Sequence, residues 1–414
     1  MHMADALLAP TVAVTMYAAT GAAAAVSLKK LKVEDAPEKL PMMGVMSAFV
    51  FAGQMINYTI PGTGASGHIC GGLLLSAMLG PYAGFLSMIV ILAIQCLFFA
   101  DGGLMALGAN VWNMAFYGCF VGYFLIYRPI LRRARAVAGA GKENAAGGFG
   151  AGTGSAAAPD FKAGVAGSVP SDRGRVKKYI LLASVLGCVI TLQMGAFSVC
   201  VETFCSGITE LPFAAFLALM QPIHLAIGLV EGLVTAAVLT FVYQAREELL
   251  WAGLDSKGRM YRHSSAADSA QGSAADGAGG RTEREGKTYL RPVLFAFLVA
   301  ALFIGMVCSR FASSNPDGLE WSLFGNAESG YSANMALDEE DYGAASELAD
   351  SAGALQEKTA LFPDYSAAET LSGPLGEYAP SVFGTGLLVL IAALIYAGGR
   401  IFHGKRSAEQ KGQA

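Results

Sequence analysis

Two histidines in the first half of the chain have the chemistry of a transition-metal site. The α-amine of Met1, the deprotonated amide nitrogen of His2 and the His2 ring Nδ1 can occupy three corners of one plane. A fourth nitrogen completes a square, a geometry typical of Ni(II) or Cu(II), with Co(II) also possible. His68, in the glycine-rich stretch Pro61–Gly72, is the natural fourth donor. These residues predict a site for Ni(II) or Co(II).

This prediction depends on a free α-amine at Met1. The start of the chain has no basic region and no A-x-A-like cleavage site, so we expect no cleavable signal peptide and a mature N-terminus at Met1. The alternative is that the chain begins Met-His by chance. A lone loop histidine is more often solvated than a metal ligand.

Further polar residues are candidates to support the ligands. Asn110 and Asn113 lie three apart at one end of a helix and share a face, so they are placed to fix the loop or the His68 ring, or to cap the helix. His224 and Glu231 lie seven apart on one face of another helix. A carboxylate inside a membrane marks function or a buried pair, and a structural hydrogen-bonding role for Glu231 is slightly favoured. The supporting candidates are Asn57, Ser66, Asp101, Asn110, Asn113, His224 and Glu231.

Two motifs point to enzymes, and both are weak. Gly64–Gly67 reads G-A-S-G and matches the G-x-S-G of rhomboid-type intramembrane serine proteases, with Ser66 as nucleophile and His224 as base. Ser66 is predicted in a loop, whereas such a nucleophile needs a buried helix terminus. The stretch 279–288 resembles a phosphate-binding loop, but the position five before Gly286 is Arg281 and not glycine. We therefore expect a chain that is not an enzyme, with any ATP hydrolysis on partner subunits.

The composition is that of an integral membrane protein. The 414 residues are 54% hydrophobic and 14% charged, with a mean hydropathy of +0.47. Runs of about 20 apolar residues predict transmembrane helices, and strand-like alternation is absent. The apolar runs are 7–27, 42–60, 69–100, 106–127, 179–200, 220–243, 290–310 and 382–402. Basic residues are explained by membrane orientation, so no nucleic-acid partner is expected.

Charge sets the expected topology, because cytoplasmic loops collect Lys and Arg. Placing Lys29 and Lys30 inside puts the N-terminus and the loop 61–68 outside. The later basic clusters also fall inside if 69–100 is two helices broken at Gly80–Pro81. We therefore expect nine helices in the cell membrane, with a cytoplasmic C-terminus. The halves 69–80 and 83–100 are short, so two full spans and a partly re-entrant pair both stay open.

The expected fold is all-α and polytopic, in two modules. Residues 1–250 form a seven-helix domain interrupted by a flexible linker at about 136–172. A second Gly- and Ser-rich linker covers 253–286, and 287–405 form a two-helix module with an acidic external segment at 313–380. That segment's role is open.

Other patterns concern packing and oxidation. Small residues on the first helix permit close packing against an internal helix or another subunit. They are Ala18, Ala19, Ala22 and Ala23. Cys200 and Cys205 are able to pair only if their loop faces an oxidising compartment, whereas the other cysteines are expected to be buried hydrophobes.

In several motifs the sequence resembles the CbiM/NikM family, whose members are substrate-specific components of energy-coupling factor transporters for cobalt and nickel. The motifs are M-H at 1–2, P-G-T-G-A-S-G-H at 61–68, L-G-P-Y-A-G-F at 79–85, F-F-A-D-G-G-L-M-A-L-G-A-N-V-W-N-M at 98–114 and H-L-A-I-G-L-V-E-G at 224–232. The M-A-D-A-L at 3–7 departs from the family's start, which leaves the chelating pair intact. N-P-D-G-L-E-W at 315–321 resembles the PDGLE domain of the CbiN/NikN small subunits.

The resemblance implies a fusion of the two families that binds its metal through the Met1 amine, the His2 amide and ring, and the His68 ring. It also implies Ni(II) or Co(II) as transported substrate without an organic cofactor. Uptake would be driven by a separate transmembrane coupling subunit and cytoplasmic ABC-type ATPases.

Overall fold

The computed structural model describes residues 1–31, 39–134, 172–207, 212–246, 249–251, 279–326, 331–332, 347–366 and 374–412. Nearly all of the two expected linkers lies outside these residues. The described helices are α1 Pro10–Lys30, α2 Lys39–Gln54, α3 Gly72–Leu79, α4 Pro81–Phe99, α5 Leu107–Ala134, α6 Asp172–Ser206, α7 Phe213–Ala245, α8 Gly279–Met306, α9 Gly318–Phe324, α10 Glu347–Thr359 and α11 Pro374–Gly412. In α5 the stretch Trp112–Tyr127 is a π-helix.

Helices account for the architecture, as the apolar runs predicted. Seven of the described helices are long and apolar enough to cross a membrane, namely α1, α4, α5, α6, α7 and the apolar parts of α8 and α11. The apolar part of α2 is shorter, at Leu40–Gln54. The chain is an all-α, multi-pass membrane protein.

The expected break at Gly80–Pro81 is present and separates α3 from α4. Gly80 has a φ of 92°, which favours glycine, and Pro81 begins the next helix. With eight residues, all buried, α3 is only about 12 Å long and cannot cross a bilayer alone. The Trp251 backbone N–H donates to the carbonyl of Ala77 at 2.8 Å. Since Trp251 follows the end of α7, the segment 68–80 runs from the β-hairpin toward that end of the bundle, with α3 as a half-length helix inside protein.

The stretch predicted as the loop 61–68 is partly a β-hairpin. Strand β1, Tyr58–Ile60, pairs antiparallel with β2, Ala65–Gly67, so Ser66 lies on a strand and His68 directly follows it. Three-residue strands are too short to show a period of two, so no strand could be predicted here. A second pair joins β3, Gly325–Asn326, to β4, Tyr331–Ser332.

The helices pack through small residues. In the antiparallel pair α6–α7, a Cβ on Gly232 would lie 2.6 Å from the backbone of Val185. The two apolar helices of the C-terminal region, α8 and α11, pack against α2, where Gly44 meets Ala392 of α11. The C-terminal region is therefore joined to the first seven helices along α2.

Candidate metal centre

The N-terminal residues are threaded into the bundle and fixed by a side chain of α5. Met1 and Met3 are buried. The Met3 backbone N–H donates to Asn110 Oδ1 at 2.7 Å, and Asn110 Nδ2 donates to the Met3 carbonyl at 3.1 Å. Gly103 N–H donates to the same carbonyl at 2.8 Å. Asn110 therefore holds the backbone that follows His2.

Asn110 and Asn113 contact the N-terminal residues and not the His68 ring. Asn113 Nδ2 donates to Glu202 Oε2 at 2.8 Å and lies 3.7 Å from Met3 Sδ. Neither side chain hydrogen-bonds His68 within the described residues.

The rings of His2 and His68 lie side by side. Their centroids are 5.2 Å apart and their planes differ by 22°. His68 Nδ1 is 3.1 Å from the Ile69 carbonyl, so it carries the proton and leaves the Nε2 lone pair for a ligand. His2 Nδ1 is 3.0 Å from Asp101 Oδ1, and His2 Nε2 is buried without a hydrogen-bond partner.

Both imidazoles are neutral at physiological pH. Burial, helped by the charge of the nearby N-terminal amine, lowers the pKa of His2 to about 3 and that of His68 to about 4. A neutral imidazole is the form that binds metal ions.

The Met1 amine forms an ion pair with Asp317 from the C-terminal region. The amine nitrogen lies 3.3 Å from Asp317 Oδ2, and both side chains are largely shielded from solvent. Burial lowers the pKa of the amine, but the Asp317 carboxylate and the more distant Asp101 more than compensate, so the pKa lies above its usual value. The amine is therefore protonated at neutral pH.

A capping box fixes Asp317 in this position. The backbone N–H groups of Leu319 and Glu320 donate to Asp317 Oδ1 at 2.8 and 2.9 Å, and Glu320 Oε2 accepts the Asp317 N–H at 3.1 Å. One carboxylate oxygen therefore caps α9, while the other is left for the Met1 amine.

Ser66 joins the hairpin to the C-terminal region and is not placed as a nucleophile. Its N–H donates to the Pro316 carbonyl at 2.8 Å, and its Oγ donates to the Asn315 carbonyl at 2.7 Å. His224 Nδ1 lies 2.8 Å from the Met220 carbonyl. In the described part of the chain no hydrogen bond joins Ser66 to His224, so the geometry does not support the protease alternative.

The C-terminal region reaches the other histidine through Asp101. The Tyr365 hydroxyl donates to Asp101 Oδ2, and Gln356 Nε2 donates to the Gly102 carbonyl at 2.7 Å. Tyr365 has a φ of 56°, a left-handed conformation that is uncommon for a bulky residue. Burial raises the pKa of Asp101 above its usual value. His2 is thus fixed by a carboxylate that Tyr365 holds.

Glu231 anchors the backbone that follows His68. Its carboxylate accepts N–H groups from Cys70 at 2.8 Å and Gly71 at 2.9 Å, at the start of α3. Gln54 Nε2 donates to the Cys70 carbonyl at 2.7 Å. Glu231 therefore bonds the backbone between His68 and α3.

A polar cavity of about 500 Å³ opens over the two histidines. Its lining includes Asn57, His2, His68, Asp5, Asp101, Asp317, Glu320 and Asp364. His224 instead borders a much smaller space beside Met1, His68 and Asp317, and its Nε2 has no hydrogen-bond partner. The described residues contain no group of three or more His, Cys, Asp or Glu side chains arranged to hold a metal ion. The predicted donor set uses two backbone nitrogens and two rings, so it needs no such group.

Sequence reasoning missed Asp317, Tyr365 and Gln356 as residues of this site. The D-G-L-E at 317–320 carried a usable signal, because an acidic residue three before Glu is typical of a capping box. The other two residues carry no local signal.

Of the small residues on α1, Ala18 and Ala22 are exposed.

Cys200 and Cys205, whose pairing the sequence left open, are both free in the structure. Cys200 is buried and Cys205 is exposed.

Comparison with known families identifies the two regions of the chain. The CbiM family model, cobalt uptake substrate-specific transmembrane region, matches residues 2–169 and 161–249. The chain belongs to the CbiM family. The PDGLE domain matches residues 291–400, so a CbiM region and a PDGLE domain are fused, as the sequence motifs predicted.

Relatives of this CbiM-family chain carry transport names. It is 35% identical over 250 residues to a putative fused nickel transport protein NikMN of Archaeoglobus fulgidus, covering 60% of this chain and 68% of that one. It is 28% identical to a cobalt transport protein CbiM of Sorangium cellulosum, covering 59% and 87%. A crystal structure of a truncated transition metal transporter aligns with a TM-score of 0.44 at 27% identity, covering 59% and 99%.

Proposed function

We propose that this chain captures Ni(II) or Co(II) and serves as the substrate-binding component of an ATP-driven metal uptake transporter. The observation that carries the proposal is the stacking of the His2 and His68 rings at 5.2 Å beside the buried Met1 amine. Membership of the CbiM family and the nickel and cobalt names of its relatives support the same conclusion.

The donors are the Met1 amine, the His2 amide nitrogen and Nδ1, and His68 Nε2. In the structure His2 Nδ1 pairs with Asp101, so chelation requires the imidazole to leave that carboxylate. The Met1 amine must also lose the proton that it shares with Asp317, and the His2 amide must lose its N–H proton. Binding therefore exchanges protons and ion pairs for metal–nitrogen bonds.

The carboxylates around the cavity favour entry of a cation. Five of them line it, and a concave surface of one charge raises the local concentration of the opposite charge. Asp317 pairs with the Met1 amine and Asp101 with His2, so both carboxylates are close enough to balance the charge of a bound ion.

Four nitrogens in a plane favour Ni(II) over Co(II). Affinity for divalent ions generally rises from Co(II) through Ni(II) to Cu(II), so discrimination among them comes from geometry and availability.

We further infer that the metal centre faces the outside of the cell membrane and that the C-terminus is cytoplasmic. The basic residues at the ends of α1, α5 and α7, and at the start of α6, support this orientation, because they lie at the end of the bundle opposite the histidines. A transmembrane coupling subunit and ABC-type ATPases would supply the energy. Ala18 and Ala22 remain exposed on α1, which leaves room for a helix of such a partner.

Isothermal titration of the purified full chain with Ni(II) and with Co(II) tests the proposal. We expect His68→Ala to weaken binding at least about 100-fold, because one of four nitrogens is lost. His403→Ala, a histidine near the C-terminus, is the matched control for adventitious binding and should leave the affinity unchanged. Equal affinities in His68→Ala and the unmodified chain would reject the site.

A further inference from the structure

A second concave surface lies far from the metal centre, between α6 and α7. This groove has a volume of about 680 Å³ and mostly apolar walls. Leu181 of α6 and Leu233 and Phe241 of α7 line it, and these side chains are 45%, 56% and 63% exposed. Ala236 and Ala237, also in the lining, leave space that larger side chains would fill.

The groove lies at the opposite side of the membrane from the histidines. Ile227 of α7 contacts the hairpin at Gly67, beside His68, whereas the lining of the groove continues to Gln244. Seventeen residues of helix separate those two positions, a rise of about 26 Å. That distance is close to the thickness of a hydrocarbon core. The end of the groove at Gln244, farthest from the histidines, therefore reaches the polar boundary of the bilayer.

Two lysines lie at this boundary. Lys177, half-buried, and Lys178, exposed, come from the first turns of α6 and line the groove. Among the described residues that line it there is no Asp or Glu. Lysine side chains pack their methylenes on apolar surface and keep the ammonium at the interface, where a phosphate is the complementary group.

We propose that this groove binds an anionic phospholipid, with its acyl chains against Leu181, Leu233 and Phe241 and its phosphate at Lys177 and Lys178. Apolar walls that end in two cationic groups match a molecule with hydrocarbon chains and a negative headgroup. A zwitterionic headgroup adds a positive charge of its own beside the two ammonium groups, whereas an anionic headgroup brings none. This site is separate from the metal centre and does not depend on the transport proposal.

Native mass spectrometry of the full chain tests this assignment. The protein is released from vesicles that contain equal amounts of phosphatidylglycerol and phosphatidylcholine with identical acyl chains, and the ratio of the two retained lipids is measured. We expect phosphatidylglycerol to dominate and the double variant Lys177→Gln/Lys178→Gln to lower the ratio roughly tenfold or more. The matched control Lys29→Gln/Lys30→Gln, in the last turn of α1, should leave it unchanged.

A second variant tests the groove rather than the charge. Ala237 is exposed, so Ala237→Phe fills the groove without disturbing the core, and it should abolish lipid retention while both lysines remain. If both double lysine variants lower the lipid ratio equally, the attraction is a general property of the charged surface, and the proposed site is overturned. Unchanged retention in Ala237→Phe, or occupation of the groove by a protein helix in a purified complex, would overturn it as well.

Discussion

The carboxylate of Asp317 lies 3.3 Å from the amine of Met1, which joins the PDGLE domain to the first residue of the chain. Its other oxygen caps α9, so the ion pair is made by a side chain with little freedom to move. The Met1 amine is one of the four donors that we propose for the metal. A residue 316 positions away in sequence therefore contacts a proposed ligand atom.

The first prediction concerns pH. Below the pKa of the Met1 amine two protons must leave for each ion bound, one from the amine and one from the His2 amide, so the apparent Kd should fall about 100-fold per pH unit as the pH rises. Above that pKa only the amide proton is released, and the fall should be about tenfold per unit. Asp317 raises the pKa of the amine, so Asp317→Asn should move this change of slope to a lower pH. The pH of the slope change is the readout, because the affinity itself also responds to the lost attraction between carboxylate and cation.

Asp350→Asn is the control for this experiment, since it removes an exposed carboxylate of the same acidic region, on α10. A slope change that stays at the same pH in Asp317→Asn, or moves equally in both variants, would show that the ion pair does not govern the amine.

The second prediction concerns the hydrogen bond between Tyr365 and Asp101. Tyr365→Phe removes a donor to a carboxylate, and such bonds contribute about 1.5–3 kcal/mol. We expect a lower melting temperature, and looser His2 placement that weakens Ni(II) binding. Tyr378→Phe removes a hydroxyl that only accepts from Arg310 and should have little effect on binding. Identical titration curves for the two variants would argue against a role of Tyr365 at the site.

The third prediction concerns Glu231, which accepts two backbone N–H groups just after His68. Gln keeps one acceptor but turns an NH₂ toward the second N–H, at a cost of about 1–3 kcal/mol. Glu231→Gln should weaken Ni(II) binding through displacement of His68. Gln193→Leu removes the hydrogen bond that Gln193 Nε2 donates to the Gln221 carbonyl at 2.8 Å, between α6 and α7, and leaves the Glu231 contacts in place. Gln193→Leu should lower the stability of the protein without changing its Ni(II) affinity. If this variant loses stability and Ni(II) affinity together, any destabilisation impairs the site.

The fourth prediction concerns Asn110, whose amide satisfies the N–H and the carbonyl of Met3. Asn110→Ala leaves the buried Met3 N–H unpaired and the Met3 carbonyl with the Gly103 N–H alone, so it should displace the N-terminal residues. Ni(II) affinity should fall at least about tenfold, measured by titration. Thr20→Val removes a hydroxyl on α1 that donates to the Gly108 carbonyl of α5, the helix of Asn110. This variant should not change the Ni(II) affinity. The prediction fails if the two variants bind equally well.

Much of the fold could be predicted because a bilayer imposes simple rules on sequence. Long apolar runs predicted the helices. Gly80–Pro81 predicted the break between α3 and α4, because a glycine with positive φ ends one helix and a proline starts the next. The length of α3 could not be predicted, since its shortness depends on burial among other helices. The β1–β2 hairpin was missed because three-residue strands have no readable period.

The candidate site divides in the same way. His2 and His68 were predicted to meet, from ligand chemistry and from a charge pattern that places both at one end of the bundle, and the structure brings them together. Asp317 and Tyr365 were not predicted to join them. Their contacts depend on how the PDGLE domain folds over the first module, and hydropathy and spacing carry no information on that arrangement.

The account's central claim is that the free α-amine of Met1 is a metal donor, and adding one residue before Met1 tests it most directly. The extension moves the amine out of chelating range while leaving both histidines in the chain. We predict that Ni(II) affinity, measured by isothermal titration of the purified full chain, falls at least about 100-fold. An unchanged affinity in the extended chain would contradict the claim and leave the N-terminus without a role in metal binding.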